Sequence, residues 1–248
     1  MGDQAPDRAL IGAAAIIEAT VSQDLRRVPI FEHCLVIVRE GAKDLIADDG
    51  TLARLVPGDV VLLPAGGQPT IGNRPDPALG RYVAQVLTLG PQAVAAFRQH
   101  YPLLAAASPP VAVAWHLCPG DRALADSVMH AVHGVDDPAL SERMACHRCV
   151  EVLAALAERG IHLPPEAAPT AAVQVRQLVA ARPHLPWSAA DAARALGVSE
   201  PTLRRRLAAE ATSFRHIVAE VRLTHGLMLL QTSRAPILQV ALDCGYES

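Results

Sequence analysis

The chain has 248 residues and a mass of 26.2 kDa, room for one or two domains that each bury a core. Hydrophobic residues make up 51% and charged residues 19%, which excludes a disordered chain, and with 3% aromatics against 45 alanines the bulk of any core is aliphatic. The net charge of −3 argues against a nucleic-acid partner only as an average, because residues 1–169 carry −6 whereas residues 170–248, with nine arginines against six acidic side chains, carry +3.

Arginine outnumbers lysine 21 to one, and the one is Lys43; the imbalance reads as codon usage rather than function. The N-terminus MGDQAPDRAL has no positive n-region. No apolar run approaches the roughly 18 residues needed to span a bilayer. Five cysteines (Cys34, Cys118, Cys146, Cys149, Cys244) are scattered and odd in number. A reduced cytoplasmic protein is the expectation.

In chain order, the first elements read as short strands. Residues 33–39 (HCLVIVR) form a β-branched run ended by Glu40-Gly41, Asp48-Asp49-Gly50 marks a turn, and residues 51–56 alternate in part. Pro57-Gly58-Asp59 is a further turn, followed by an apolar run at 60–63 and by Pro64-Ala65-Gly66-Gly67. A loop rich in proline and glycine over 68–80 leads to another apolar strand at 82–89. This punctuation predicts an all-β sandwich or barrel.

From Pro91 the period changes. Residues 92–100 predict a short helix, Ser108-Pro109-Pro110 a break, and residues 111–117 either a strand or a helix turn. Two helices follow at 122–133 and 138–159, the second with Met144, Val150, Leu153 and Leu156 as its apolar stripe. Residues 163–169 form a Pro-rich linker, the strongest boundary in the chain.

Beyond the linker, residues 173–181 predict a helix closed by Arg182-Pro183. Ser188 suits an N-cap, with Asp191 three residues on, and the helix at 189–196 stops at Gly197, a residue suited to a left-handed turn. Ser199 caps the next helix, with Pro201 in its first turn. Leu203 and Leu207 lie one turn apart and face the preceding helix, so Arg204 and Arg205 point away and Arg206 lies on the flank. Helix, glycine turn and a second helix with a basic face make a helix-turn-helix. Residues 214–230 predict a long amphipathic helix. Then come a capped start over Thr232-Ser233-Arg234-Ala235-Pro236, a short helix at 237–243 and a second glycine turn at Cys244-Gly245-Tyr246. Two such units joined by one long helix are far more specific than either alone.

Segment 188–248 resembles the DNA-binding domain of the AraC/XylS family of bacterial transcription regulators. The residues that carry the resemblance are Leu196-Gly197-Val198-Ser199, Thr202-Leu203-Arg204-Arg205-Arg206-Leu207, Ser213-Phe214, Val221-Arg222-Leu223, Leu229-Leu230, Pro236-Ile237, Val240-Ala241 and Gly245-Tyr246-Glu247-Ser248. One departure is Ala211, where related sequences usually carry a glycine; a positive φ there would strain alanine. The resemblance implies an N-terminal cupin-like β-barrel for effector binding or dimerisation, and residues 57–66 are similar to that barrel's turn-strand-turn segment. The expected architecture is therefore α+β and multidomain: a cupin-like barrel at 1–115, a helical linker and dimerisation region at 116–169, and an all-α helix-turn-helix domain at 170–248. At Ser248 a second recognition helix and a closing helix would be expected to follow, so affinity and specificity for a full DNA site are expected to be reduced.

In the first helix-turn-helix, residues 200–208 are the expected recognition helix. Glu200, Pro201, Arg204 and Arg205 are candidates for base edges, since arginine reads guanine O6 and N7 in bidentate fashion. Ser199, Arg206 and Arg222 are candidates for phosphates, and Thr202 completes the set. The expected partners are double-stranded promoter DNA, a small-molecule effector, a second copy of the chain and RNA polymerase, with no membrane and no cofactor. A cupin metal centre would need a cluster of histidines and carboxylates, and the barrel segment offers only His33. Cys146-His147-Arg148-Cys149 is a CxxC that could join His130 and His133 as zinc ligands or act as a redox pair, but it sits in an expected helix, where cysteine serves as a small core residue. Trp115 and Trp187 are expected to pack rather than stack on ligands, and no catalytic signature is present. Two other readings stay open: a small-molecule sensor without DNA binding, and a cupin-type enzyme.

Overall fold

Short strands bounded by turn residues build two antiparallel sheets in the front segment. The computed structural model describes residues 10–105, 113–163, 170–232 and 235–246, and the chain divides into two compact units, Met1–Pro164 and Pro165–Ser248. The strands of the first unit are β1 (Gly12–Ala19), β2 (Gln23–Leu25), β3 (His33–Glu40), β4 (Ala42–Ile46), β5 (Leu52–Leu55), β6 (Val60–Leu63), β7 (Thr70–Arg74), β8 (Tyr82–Leu89) and β9 (His116–Cys118). Its helices are α1 (Pro91–His100), α2 (Pro102–Ala105), α3 (Arg122–Asp136) and α4 (Glu142–Glu158). One sheet has the order β1-β8-β3-β6-β9 and the other β2-β7-β4-β5. The described strands thus form two sheets that share no strand.

The passage from one sheet to the other explains why. Register shifts between Val38 and Glu40, a bulge that bends β3. Gly41 follows with φ +76°, where a Cβ would lie 2.3 Å from the Arg74 carbonyl oxygen. The chain turns sharply there, and β4 pairs with β5 and β7 instead of extending the first sheet.

The five-stranded sheet is covered on both faces, which is why β3 and β6 read as unbroken apolar runs. Cys34, Val36, Val38, Val61 and Leu63 share a core with Leu45, Leu55 and Ile71 of the smaller sheet. The alternate residues Leu35, Ile37, Val60 and Leu62 pack with Val128 and Val132 of α3 and with Val152 and Leu156 of α4. Of the region expected apart at 116–169, α3 and α4 thus contribute to the first unit's core. The apolar stripe of α4 runs through Ala145, Cys149, Val152, Leu153 and Leu156, while Met144 is 46% exposed and lies off it.

Several elements escaped local patterning. β7 falls in the stretch read as a loop, because Gly72 and Asn73 are poor strand formers; pairing with β2 on one side and β4 on the other overrides that preference. β1 is rich in alanine and β4 is interrupted by Lys43-Asp44. The break at 108–110, most of the linker and the capped start at Ser233-Arg234 lie outside the described residues.

The second unit is all helical: α5 (Ala171–Ala181), α6 (Ala189–Ala195), α7 (Glu200–Ala209), α8 (Phe214–Thr232) and α9 (Ile237–Asp243). Val175, Val179, Ala193, Leu203, Leu207, Ile217 and Val221 form its core. Glu210, at the end of α7, ties that helix to the start of α5, accepting hydrogen bonds from the Ala171 and Ala172 amides at 2.9 Å each. Burial opposes its ionisation, yet those amides, Thr170 and the Arg176 charge hold its carboxyl below the usual range. The N-cap residue of α9 is Pro236, and no side chain caps that helix.

Candidate nucleic-acid interface

The geometry of the helix-turn-helix follows from its caps and its glycine. Ser188 Oγ accepts from the Asp191 amide at 3.1 Å and starts α6. Gly197 has φ +67°, the left-handed conformation that lets the chain reverse between α6 and α7. Ser199 Oγ accepts from the Thr202 amide at 3.3 Å and hydrogen-bonds Thr202 Oγ1 at 2.8 Å, so both hydroxyls serve the cap of α7. Pro201 occupies its first turn. Leu203 and Leu207, each 1% exposed, fix the helix to the core. Helical spacing then projects Arg204, Arg205 and Arg206 outward, and all three are exposed.

The three arginines are not equivalent. Arg204 Nε and Nη2 both donate to Glu200 Oε1, at 2.9 and 2.6 Å, so these two residues form an i,i+4 pair along α7. Arg205 and Arg206 have no hydrogen-bond or ion-pair partner among the described residues. They are fork-shaped donors held on a rigid helix with their hydrogen-bonding capacity unspent.

Arg222, expected at phosphates, is committed elsewhere. Its Nε donates to the Pro183 carbonyl at 3.1 Å and its Nη2 to the Leu185 carbonyl at 2.9 Å. The guanidinium also lies 5.9 Å from the Tyr246 ring centroid. It clamps α8 to the loop before α6 and to the residues after α9, and is not part of the exposed basic face. No local signal marks this, because the partners lie 37 and 39 residues away.

Ala211 adopts φ +54°. The exit turn of α7 does require the conformation that glycine tolerates best, and this chain places alanine in it.

The other residues weighed for chemistry have structural surroundings. His33 Nδ1 accepts from the Ala65 amide at 3.2 Å. Burial, followed by the Arg98 charge, lowers its pKa to about 4. Cys149 is fully buried, and burial, with Cys146 next, pushes its thiol up to about 12, the opposite of a reactive thiolate. Among the described residues no three His, Cys, Asp or Glu side chains gather as metal ligands. Trp115 packs beside the inter-sheet core and Trp187 beside the helical one, where its Nε1 donates to the Arg182 carbonyl at 2.8 Å. An open cleft of about 450 Å³ lies between β9 and the end of α4, floored by the Asp121–Arg159 ion pair. No described helix is long and apolar enough to cross a membrane.

No family profile matches the chain. Over 62 residues it is 40% identical to the transcriptional regulator SirC of Salmonella typhimurium, covering 25% of this chain and 21% of that protein. Over 74 residues it is 34% identical to the urease operon transcriptional activator of Escherichia coli, covering 30% of this chain and 25% of that one. Its homologues are transcriptional regulators. The chain aligns with about a fifth to a quarter of the length of these two relatives. In fold, it is similar to ToxT of Vibrio cholerae bound to (E)-4-(8-methylnaphthalen-1-yl)but-3-enoic acid, with a TM-score of 0.64 at 14% identity, over 96% of this chain and 91% of that one. The expected likeness to bacterial transcription regulators thus has support from sequence, and ToxT shares the fold.

Proposed function

We propose that the chain is a transcription regulator that binds double-stranded promoter DNA through α7, under the control of a small molecule held by the first unit. The observation that carries this reading is the pair Arg205 and Arg206, exposed and unpartnered among the described residues on a helix whose inner face is locked by Leu203 and Leu207. In this reading α7 enters the major groove. Pro201, Arg205 and the Glu200–Arg204 pair face base edges, and Arg206 meets a phosphate. Ser199 and Thr202 shape the helix start, and Arg222 holds the fold. ToxT has been seen bound to a butenoic acid and to an unsaturated fatty acid, which supports a small-molecule effector here. A regulatory role without catalysis, the cytoplasm as its site, a homodimer and contact with RNA polymerase complete the proposal.

Selection of bound DNA from a random pool, followed by a mobility-shift assay on the selected site, tests it. One enriched sequence, bound with a steep inverse dependence on salt, is the expected result. Absence of enrichment would favour a small-molecule sensor that does not bind DNA.

A further inference from the structure

We propose that the outer edge of β1 pairs with the same edge of a second copy of the chain, joining two sheets into one across a two-fold axis at Ala15. The inference begins with a ladder that stops. β1 ends the five-stranded sheet and is paired with β8 on one side. Just before β1, the Gly90 amide donates to the Ile11 carbonyl at 2.8 Å. Antiparallel alternation therefore turns the backbone groups of odd-numbered residues toward β8 and those of even-numbered residues away. The outward N–H and C=O groups of Gly12, Ala14, Ile16 and Glu18 have no hydrogen-bond partner among the described residues.

Folded chains guard such an edge by short length, charge, proline or a bulge. The other edge strands here are guarded: β2 and β9 have three residues each, and β5, with four, carries Arg54. By contrast, β1 runs for eight residues in unbroken register with β8. It has no proline, and its one charge, Glu18, lies next to its end. Ile16, on the outward set, is 51% exposed.

The sequence of β1, GAAAIIEA, also fits its own reverse. Outward groups must meet outward groups, so across a two-fold axis an even residue lies opposite an even one. With the axis at Ala15, Ala14 lies opposite the partner's Ile16, Ala13 opposite the partner's Ile17 and Gly12 opposite the partner's Glu18. Away from the axis each small side chain faces a larger one, and the two Glu18 carboxylates stand at opposite ends, each against a glycine. Moving the axis to Ile16 would set isoleucine on isoleucine, and in-register parallel pairing would set Glu18 beside its own copy. Ala14 is already packed against the helix-side core and Ile17 against the inter-sheet core, so pairing extends both cores across the axis. The helices expected to dimerise, α3 and α4, bury apolar residues in the first unit's own core.

The assignment deepens the homodimer of the proposed function and rests on that reading for its regulatory meaning. One strand pair is a small interface, so the dimer is expected to be weak and concentration-dependent. Sedimentation velocity of the full chain over about a hundredfold range of concentration is expected to show monomer and dimer in exchange. Over the same range, hydrogen exchange of the Gly12, Ala14, Ile16 and Glu18 amides, followed by NMR, is expected to slow as dimer forms. The amides of Ala13, Ala15 and Ile17 should stay protected throughout. Ile16→Lys places a charge on the exposed edge and is expected to fold and to weaken the dimer at least about tenfold, because two-fold symmetry counts each substitution twice. Ala14→Pro removes one outward N–H and keeps the ladder to β8; it is expected to be monomeric. The proposal is overturned if the parent is monomeric throughout, if both variants dimerise as tightly as the parent, or if the even-numbered amides exchange independently of concentration. DNA binding on the same preparations separates the two readings. A dimer that survives both variants and binds DNA refutes this edge alone, and one that pairs through the edge but enriches no DNA sequence refutes the regulator.

Discussion

Arg222 on α8 donates through Nε to the carbonyl of Pro183 at 3.1 Å, tying the long helix of the second unit to the loop that leads into α6. The same guanidinium reaches Leu185, so one side chain fixes the approach to the helix-turn-helix from behind. Removing it leaves two carbonyls without this donor. Arg222→Ala is therefore expected to destabilise the unit by about 1–3 kcal/mol. Urea unfolding followed by circular dichroism measures this; an unchanged midpoint with weaker DNA binding would return Arg222 to the interface.

Ala211 holds φ +54° in the turn between α7 and α8. A left-handed alanine costs roughly 1–2 kcal/mol, part of which glycine gives back through its larger unfolded-state entropy. Ala211→Gly is expected to stabilise the unit by about 0.5–1 kcal/mol, seen as a higher urea midpoint at constant slope. A lower midpoint would show that the turn relaxes around the methyl group.

Asp121 caps α3 and meets Arg159 in a bidentate pair, with contacts of 2.5 and 3.0 Å. The Arg159 hydrogen bonds, followed by the Leu124 amide, hold its pKa at about 2, below the ordinary 3.8. A depressed carboxyl contributes stability above its unfolded pKa and loses it as pH falls through the folded one. The advantage of the parent over Asp121→Asn is thus expected to be full above about pH 4 and to fade toward pH 2. Parallel thermal unfolding of both proteins across that range provides the check, and a gap independent of pH would remove the ion pair as its source.

Arg205 and Arg206 should fail differently. Arg205→Ala is expected to cost about 1–3 kcal/mol on the preferred site and to relax one base position. Arg206→Ala is expected to weaken all sequences alike and to lower the salt slope by about one. Fluorescence anisotropy on matched and mismatched duplexes at several salt concentrations distinguishes the two roles. Exchange of these patterns would swap their assignments.

Local chemistry made the helix-turn-helix legible. Ser188, Ser199, Pro201 and Gly197 act within a turn or two of themselves, so their spacing alone announces where α6 and α7 start and where the chain reverses. The outward direction of Arg204, Arg205 and Arg206 follows equally from helical period once Leu203 and Leu207 are read as the inner face. The strands at 60–63 and 82–89 were legible for a similar reason, being apolar runs bounded by turn residues.

What escaped the sequence depends on partners distant along the chain. β7 exists because β2 and β4 supply its hydrogen bonds, despite Gly72 and Asn73. Arg222 looked like one more basic residue until its carbonyl partners 37 and 39 residues away were brought beside it. Lys43 read only as the odd lysine among arginines; strand register and the facing sheet made it a buried cation beside an unsatisfied hydroxyl. Charge told the same story, as −3 for the whole chain concealed a basic segment that sets three consecutive exposed arginines, Arg204, Arg205 and Arg206, on one helix. By itself the sequence determined the caps, turns and faces, which are encoded within a few residues. Only the tertiary structure decided which cations remain unpartnered among the described residues and which are spent on the fold, because that depends on contacts formed when distant segments close on one another.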